Sequence, residues 1–296
     1  MKIYIRDVLM NLLFRGDEVS YIRMVKARQY LLDALPKAYE SGWRNNQCVF
    51  VLSTGRTGTM QLTALLNLSP QILAFHEPTP VLLKAGADAY QEGCETGKWS
   101  HFLHGARDEP IAFANNQGKI YVETNNRLTL LAKALAEAYP CSKFIHLHRH
   151  PFEVIRSGMR RNWYNGSPVD FSLLRPRKGE PINESWSAFS QIEKIAWSWY
   201  RINEESSSFI ESMPGSRGFV LRAENLFNAD MKNIQSLFDF IGVPMPPARK
   251  ITKTLSKKLN AQRGGEFPRS DDWTAKEKAA IKKIVEPLAT KLGYEL

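Results

Sequence analysis

The loop at residues 53–59 carries the residue types best suited to chemistry in this sequence. It follows a short apolar run that predicts a buried strand, and a helix-like segment begins behind it. That order leaves backbone N–H groups unsatisfied at a helix N-terminus, where they and the helix dipole attract anions. Two glycines allow close approach, two threonine hydroxyls add donors, and an arginine adds permanent positive charge. These residues are Gly55, Arg56, Thr57, Gly58 and Thr59, followed by Met60, and they predict a phosphate-type site.

The loop differs from the ATP-binding loop of P-loop nucleotidases. The Walker pattern places a lysine and then a hydroxyl residue after its second glycine. Thr59 and Met60 occupy those positions here, and Arg56 lies earlier, within the loop. A nucleotide kinase or NTPase on the same scaffold is therefore an alternative that lacks its lysine. A glycine turn between a strand and a helix can also be only a tight connection.

A second anion-binding segment is predicted where the fourth strand ends. Pro151 suits the first turn of a helix, because its missing N–H costs nothing there. Ser157 follows Arg149 by eight residues, roughly two helical turns. We expect both side chains to bracket one anion at the carboxyl edge of the sheet, where open α/β sheets bind ligands.

Together these two segments resemble the sulfotransferases that use 3′-phosphoadenosine 5′-phosphosulfate (PAPS). S-T-G-R-T-G-T is similar to the family's 5′-phosphosulfate loop. H-R-H-P-F-E-V-I-R-S is similar to its 3′-phosphate motif, with the arginine and serine at Arg149 and Ser157. Weaker similarity continues at residues 221–226, 237–244 and 291–294. The resemblance spans about residues 48–296 and is closer to the carbohydrate or bacterial branch than to the phenol and steroid branch.

The resemblance implies in-line transfer of a sulfuryl group from PAPS to an acceptor hydroxyl. The acceptor would be a sugar, a glycolipid or another small metabolite, and the product would be adenosine 3′,5′-bisphosphate (PAP). Residues 55–60, Arg149 and Ser157 would bind the donor, and Arg56 would also stabilise charge on the bridging oxygen. The reaction requires no metal, and the alternating His146, His148 and His150 favour packing roles over a metal site.

Two adjacent residues after the second predicted strand are candidate general bases. Carbohydrate-modifying relatives carry a Glu-Pro pair at a similar point, which favours Glu77 as the base and puts His76 second. Glu123, at the end of the third strand, is third. Glu77 could instead have a structural role after its strand.

Three departures from the family pattern affect the expected contacts. Ala223 stands where relatives often carry an aromatic residue that contacts the nucleotide. Arg263 and Arg269 are both candidates for the basic loop that closes over the 3′-phosphate. Glu123 opens a segment where many relatives carry a lysine, so acceptor chemistry could differ.

Alternating strands and helices must position these residues. Strands are predicted at 48–53, 71–75, 119–123, 143–148 and 218–222, and helices at 59–68, 127–138, 151–163, 186–212, 230–241 and around 281–292. Residues 164–184 and 243–272 are predicted to be long loops that could form a lid or substrate wall. The pattern predicts a three-layer, P-loop-like α/β fold with a central, mostly parallel sheet. We expect a single domain over 45–296, preceded by a helical extension at 1–44.

Composition and charge narrow the function classes further. The 296 residues are 43% apolar with a net charge of +10, which favours anionic partners. Nucleic acid is not expected, because no binding motif for it is present. A non-catalytic anion-binding module is the remaining alternative.

The odd number and wide spacing of Cys48, Cys94 and Cys141 predict reduced thiols and a cytoplasmic protein. The basic segment 1–44 is expected to pack on the core, with peripheral contact to anionic lipid as the alternative.

Overall fold

The side chains of the first strand are buried on both faces of the sheet. The structure, a computed structural model, describes residues 47–257 and 272–296. In strand β1 (Cys48–Leu52), Phe50 and Leu52 belong to one apolar cluster and Val49 and Val51 to another. Successive side chains of a strand point to opposite faces, so a strand buried throughout needs a layer of structure on each side.

Four further strands join β1 in one parallel sheet. They are β2 (Ile72–His76), β3 (Ile120–Thr124), β4 (Lys143–His148) and β5 (Gly218–Arg222), in the order β2-β3-β1-β4-β5. Every predicted strand is confirmed, with bounds that differ by at most one residue. The loop after β1 therefore lies between the loops after β3 and β4, where the strand order reverses and α/β sheets bind ligands.

Helices cover both faces of this sheet. The described α-helices are α1 (Thr59–Leu66), α2 (Ala85–Gln91), α3 (Thr96–Asn116), α4 (Ala132–Ala138), α5 (Pro151–Met159), α6 (Pro181–Ser185), α7 (Gln191–Glu211), α8 (Ala223–Phe227), α9 (Met231–Ile241), α10 (Ala248–Leu255) and α11 (Ala275–Lys291). Helices α3 and α4 pack on one face, whereas α1, α9 and α10 pack on the other. A further cluster joins α5, α7 and α11. The predicted three-layer α/β class is confirmed.

Several predicted helices and loops differ in detail. The segment predicted as a helix at 127–138 begins with a 3₁₀ turn, Asn126–Leu131, before α4. Helix α7 begins at Gln191 rather than 186, because Ser190 and Glu193 form a reciprocal cap there. The predicted loops contain the short helices α6 and α10. Helix α3 was not predicted. The extension at 1–44 lies outside the described residues, and the boundary at 45 stays a prediction.

Candidate active site

A serine hydroxyl joins the two anion-binding segments predicted from the sequence. The Oγ of Ser157, on α5, accepts a hydrogen bond of 2.9 Å from Nε of Arg56 in the loop after β1. It also accepts one of 3.2 Å from Nη1 of Arg161, one helical turn further on. Arg149 donates from Nη1 to the carbonyl of Arg56 at 3.1 Å. Two loops at adjacent strand ends thus form one cationic cluster. That Arg149 and Ser157 bracket one anion stays a prediction.

Left-handed backbone conformations shape the loop after β1. Gly55 has φ 76°, Arg56 has φ 60° and Gly58 has φ 85°. A side chain at Gly58 would be excluded twice, by this φ and because a Cβ would fall 2.8 Å from the ring of Phe227. Gly58 is also the N-cap of α1 and has no side chain to accept from the first-turn N–H groups. Those N–H groups have no side-chain acceptor at the cap, and anion binding there stays a prediction.

One threonine hydroxyl of the loop is buried without a hydrogen-bond partner among the described residues. Thr57 is fully buried, its Oγ1 is enclosed without a hydrogen-bond partner among the described residues, and it does not line the cavity. That this hydroxyl donates to an anion stays a prediction. Thr59 and Met60 do line the cavity.

The peptide bond between Arg149 and His150 is held at both of its polar atoms. Its carbonyl oxygen accepts from the indole Nε1 of Trp199 on α7 at 3.0 Å. Its N–H donates to Oε1 of Glu224 on α8 at 3.0 Å. The Arg149 side chain also donates to Glu153 at 2.8 Å, and its guanidinium lies 5.0 Å from the ring centroid of Phe227. Both the backbone and the side chain of this arginine are thereby oriented.

A buried tyrosine near the C-terminus supports that arrangement from behind. The hydroxyl of Tyr294 donates to Oε2 of Glu224 at 3.2 Å and lies 2.8 Å from Nδ1 of His148. Because its hydrogen goes to Glu224, the hydroxyl must accept from His148. Burial lowers the pKa of His148 to about 3, which keeps its ring neutral. The weakly similar segments around Glu224 and Tyr294 thus act as supports for the Arg149 loop.

A cavity of about 680 Å³ opens over these loops. Five of the described lining residues carry a cationic side chain and only one carries a carboxylate. The cations are Arg56, Arg127, Arg149, Arg161 and Lys257, and the carboxylate is Glu77. Burial, followed by the nearby guanidinium groups of Arg161 and Arg149, lowers the pKa of Arg56 to about 10. It stays charged at neutral pH, and the crowded cations favour an anionic ligand.

Both preferred base candidates line this cavity. Nδ1 of His76 lies 3.0 Å from the carbonyl oxygen of Thr124 and 3.0 Å from its hydroxyl. A carbonyl oxygen can only accept, so we assign the hydrogen of the neutral ring to Nδ1, which leaves Nε2 as an acceptor. Glu77 has φ 47°, and no hydrogen bond or ion pair of its carboxylate is found within the described ranges.

The third base candidate lies in the core instead. Glu123 is 1% exposed, and Nε and Nη2 of Arg107 donate to its two oxygens at 2.7 and 2.9 Å. Tyr121 and Asn125 donate to the same carboxylate at 2.8 and 2.9 Å. Every contact ties the group to the protein, and it does not line the cavity. The proposal of Glu123 as a base was wrong, because its strand position directs the side chain towards α3.

Several lining residues were not identified from the sequence. They are Arg127, Arg161, Trp163, Phe227 and Lys257. Helical spacing could have indicated two of them, since Arg161 follows Ser157 by four residues and Phe227 follows Ala223 by four. Arg263 and Arg269 lie outside the described residues.

Residues 47–257 and 272–296 contain no cluster of three or more His, Cys, Asp or Glu side chains suited to a metal ion. His148 and His150 contact Tyr294, and His146 bonds to Asn203 at 2.9 Å. Among the helices that the structure describes, none has the length and apolarity needed to span a membrane.

Comparisons with known proteins agree with this geometry. The fold and site define a P-loop-like α/β protein with a cavity lined by cationic side chains at the carboxyl edge of its sheet. Residues 48–247, more than half of the chain, match the sequence model of the sulfotransferase family. The chain therefore belongs to the sulfotransferase family and is a sulfuryl-transferring enzyme.

Solved sulfotransferases share the fold at low sequence identity. The sulfotransferase domain from the curacin biosynthetic pathway matches with a TM-score of 0.54 and 15% identity, over 84% of this chain and 98% of that domain. Sulfotransferase STF9 from Mycobacterium avium matches with a TM-score of 0.53 and 12% identity, over 91% of this chain and 86% of that protein. No curated protein matches the sequence significantly.

Proposed function

We propose that this enzyme transfers the sulfuryl group of PAPS to a hydroxyl of a small-molecule or saccharide acceptor and releases PAP. The observation that carries the proposal is the cationic cluster around Ser157, in which Arg56 and Arg161 bond to one hydroxyl and Arg149 bonds to the Arg56 carbonyl. A donor with a phosphosulfate at one end and a 3′-phosphate at the other needs two such cationic loops at neighbouring strand ends.

Each end of the donor has a complementary loop. The first-turn N–H groups of α1 and the guanidinium of Arg56 would bind the phosphosulfate, and Arg149 the 3′-phosphate. Between them, Phe227 is 37% exposed in the cavity wall and lies against both Gly58 and Arg149. Its ring would supply the aromatic contact to the nucleotide that Ala223 cannot make.

The transfer needs alignment and charge stabilisation more than covalent help from the protein. The acceptor oxygen forms a bond to sulfur as the bond from sulfur to the bridging oxygen breaks. Negative charge that develops on that oxygen stays with PAP and is stabilised by Arg56. The acceptor proton passes to a general base, for which we propose Glu77, with Nε2 of His76 as the alternative.

Calorimetric titration with PAP and transfer from ³⁵S-labelled PAPS to a panel of hydroxyl acceptors test this proposal. We expect PAP to bind and Arg56→Ala to lower turnover on the order of 10²–10³-fold, as for loss of an oxyanion donor. Arg249→Ala, which removes an exposed arginine on α10, is the matched control and should leave both unchanged. Failure of the folded protein to bind PAP would refute the proposal that PAPS is the donor. Binding of Mg-ATP instead would favour a kinase or NTPase, and PAP binding without transfer to any acceptor would favour a non-catalytic module.

The proposed location is the cytoplasm. Cys48, Cys94 and Cys141 are all free thiols in the structure, and Cys48 is buried in the core. Free thiols are typical of proteins from reducing compartments. Peripheral membrane contact through the segment at 1–44 stays a prediction, because that segment lies outside the described residues.

A further inference from the structure

The cavity has an arginine on the side away from the 3′-phosphate loop. Arg127 belongs to the 3₁₀ turn that follows β3, and Arg149 follows β4. Because β3 and β4 flank β1 on opposite sides, the two arginines approach the cavity from opposite sides of the loop that contains Arg56. From this arrangement we infer that the acceptor carries an anionic group, which Arg127 binds. The inference rests on the proposed function.

Protein contacts use only part of the hydrogen-bonding capacity of Arg127. Nη1 donates to Oγ of Ser172 at 2.9 Å, and that hydroxyl donates onward to the carbonyl of Val169 at 2.7 Å. Nε is buried and has no partner within the described part of the chain. A guanidinium presents five N–H donors in a planar fork. Because Nε is buried, the donors left for a planar or tetrahedral oxyanion are those of the terminal nitrogens that do not bond to Ser172.

The charge of Arg127 is also unpaired within the described ranges. No carboxylate lies within ion-pair distance of it there, although Glu77 is near enough to favour its charged form. Burial lowers the pKa of Arg127, which means that the cavity wall penalises the charge. A partly buried cation without a partner is costly, and a ligand anion would offset that cost.

The proposed donor does not account for this cation. Arg56 and Arg149, together with Arg161, form the cluster on the β1 and β4 loops, and the groups that affect the pKa of Arg56 include Arg149, Arg161 and Glu77. Glu77 lines the same cavity and favours the charged form of both Arg56 and Arg127, so its carboxylate lies near both arginines. The geometry points to an acceptor with a carboxylate, phosphate or sulfate group, bound so that its hydroxyl faces Glu77.

Matched acceptor pairs test the inference with the full-length enzyme and ³⁵S-labelled PAPS at constant ionic strength. The pairs are glucuronate against glucose and 4-hydroxybenzoate against 4-hydroxybenzamide, which differ in charge at similar size. If Arg127 forms charged hydrogen bonds to the acceptor, we expect kcat/KM to be higher for the anionic member of each pair, on the order of tenfold to a hundredfold. Arg127→Gln should abolish that preference, and Arg127→Lys should restore part of it.

Ser172→Ala is the matched control. It removes the contact that anchors Arg127 to the neighbouring loop but keeps the guanidinium, so the anion preference should persist. If Ser172→Ala abolishes the preference as fully as Arg127→Gln does, Arg127 has only a structural role and the inference is overturned. Equal use of both members of each pair by the unaltered enzyme would also overturn it.

Direct binding decides the matter if neither pair is sulfated. Benzoate and benzamide are titrated calorimetrically into protein saturated with PAP, which occupies the donor cations. We expect heat with benzoate alone, and its loss in Arg127→Gln but not in Ser172→Ala. No benzoate binding to the PAP complex refutes the inference and leaves the donor assignment intact. A failure of PAP itself to bind refutes the proposed function, which makes the two failures distinguishable.

Discussion

The two halves of the cavity are built in different ways. The half proposed to bind the donor, called the donor half, is formed by the loops after β1 and β4 and contains Arg56, Arg149 and Ser157, which bond to one another. The half proposed to bind the acceptor, called the acceptor half, is formed by the loops after β2 and β3. It contains His76, Glu77 and Arg127, and within the described residues no bond joins their side chains to one another. The donor half is therefore prearranged by its own residues, whereas the acceptor half leaves its functional groups available for a ligand.

Support from outside the cavity follows the same division. Behind the donor half, Trp199 and Glu224 hold the polar atoms of one peptide bond next to Arg149. Behind the acceptor half, the buried Arg107–Glu123 pair holds Asn125, whose side chain caps the turn that carries Arg127. Both supports hold the backbone next to a cavity arginine, but the residues that form them are different. Donor binding and acceptor choice should consequently respond to different substitutions.

The largest expected effect concerns the proposed base. Glu77→Gln removes the proton acceptor but nearly keeps the side-chain shape, so we expect kcat to fall about 10²–10⁴-fold. Affinity for PAP should not fall, because no hydrogen bond within the donor half uses this carboxylate. Single-turnover transfer from labelled PAPS and PAP calorimetry measure the two quantities. His76→Asn is the companion variant, and a larger loss of kcat in it than in Glu77→Gln would assign the base to Nε2 of His76.

The next largest effect concerns stability in the support of the acceptor half. Glu123→Gln leaves the guanidinium of Arg107 buried without its counter-charge, so the free energy of unfolding should fall by about 3–5 kcal/mol. Urea denaturation measures it, and Tyr121→Phe, which removes one neutral donor to the same carboxylate, should cost only about 1 kcal/mol. Unchanged stability would contradict the stabilising role of the Arg107–Glu123 pair.

A smaller effect is expected when one serine hydroxyl is removed from each half of the cavity in turn. Ser157→Ala removes the acceptor shared by Arg56 and Arg161, and bonds to charged groups contribute roughly 1.5–3 kcal/mol, so PAP affinity should fall by about ten- to a hundredfold. Ser172→Ala, the corresponding change beside Arg127, should leave PAP affinity unchanged. Equal losses in the two variants would show that the halves are coupled in donor binding.

The donor half was more predictable from the sequence because its residues lie in two short motifs. Arg56 lies in the loop next to its strand, and the eight-residue step from Arg149 to Ser157 fixes their relation through the helix repeat. The supports were not predictable, because Trp199 and Tyr294 reach Arg149 and Glu224 through tertiary packing. Nothing local in the sequence indicates those contacts.

Helix α3 was also not predictable from the sequence, because its buried face depends on a tertiary contact. Its buried face follows a helical spacing through Trp99, Leu103, Ile111 and Ala114, but Arg107 occupies the middle of that stripe. From the sequence alone, an arginine at this position is expected to be exposed to solvent. Its buried position is explained only by its partner Glu123, which lies on β3, next to β1 in the middle of the sheet. The strands were recognisable because their apolar runs need no partner to be interpreted.

The smallest predicted effect lies furthest from the ligand. Tyr294→Phe keeps the ring but removes the hydroxyl that donates to Glu224, whose other oxygen holds the N–H of His150. The Arg149 loop should loosen without losing any ligand contact, so PAP affinity should fall about two- to tenfold and kcat at saturating PAPS should not change. Tyr200→Phe, which removes a hydroxyl bonded to Glu204 on α7, is the control and should have no effect. A loss of kcat with unaltered PAP affinity in Tyr294→Phe would mean that this support acts on the acceptor half, and the division drawn between the halves would fail.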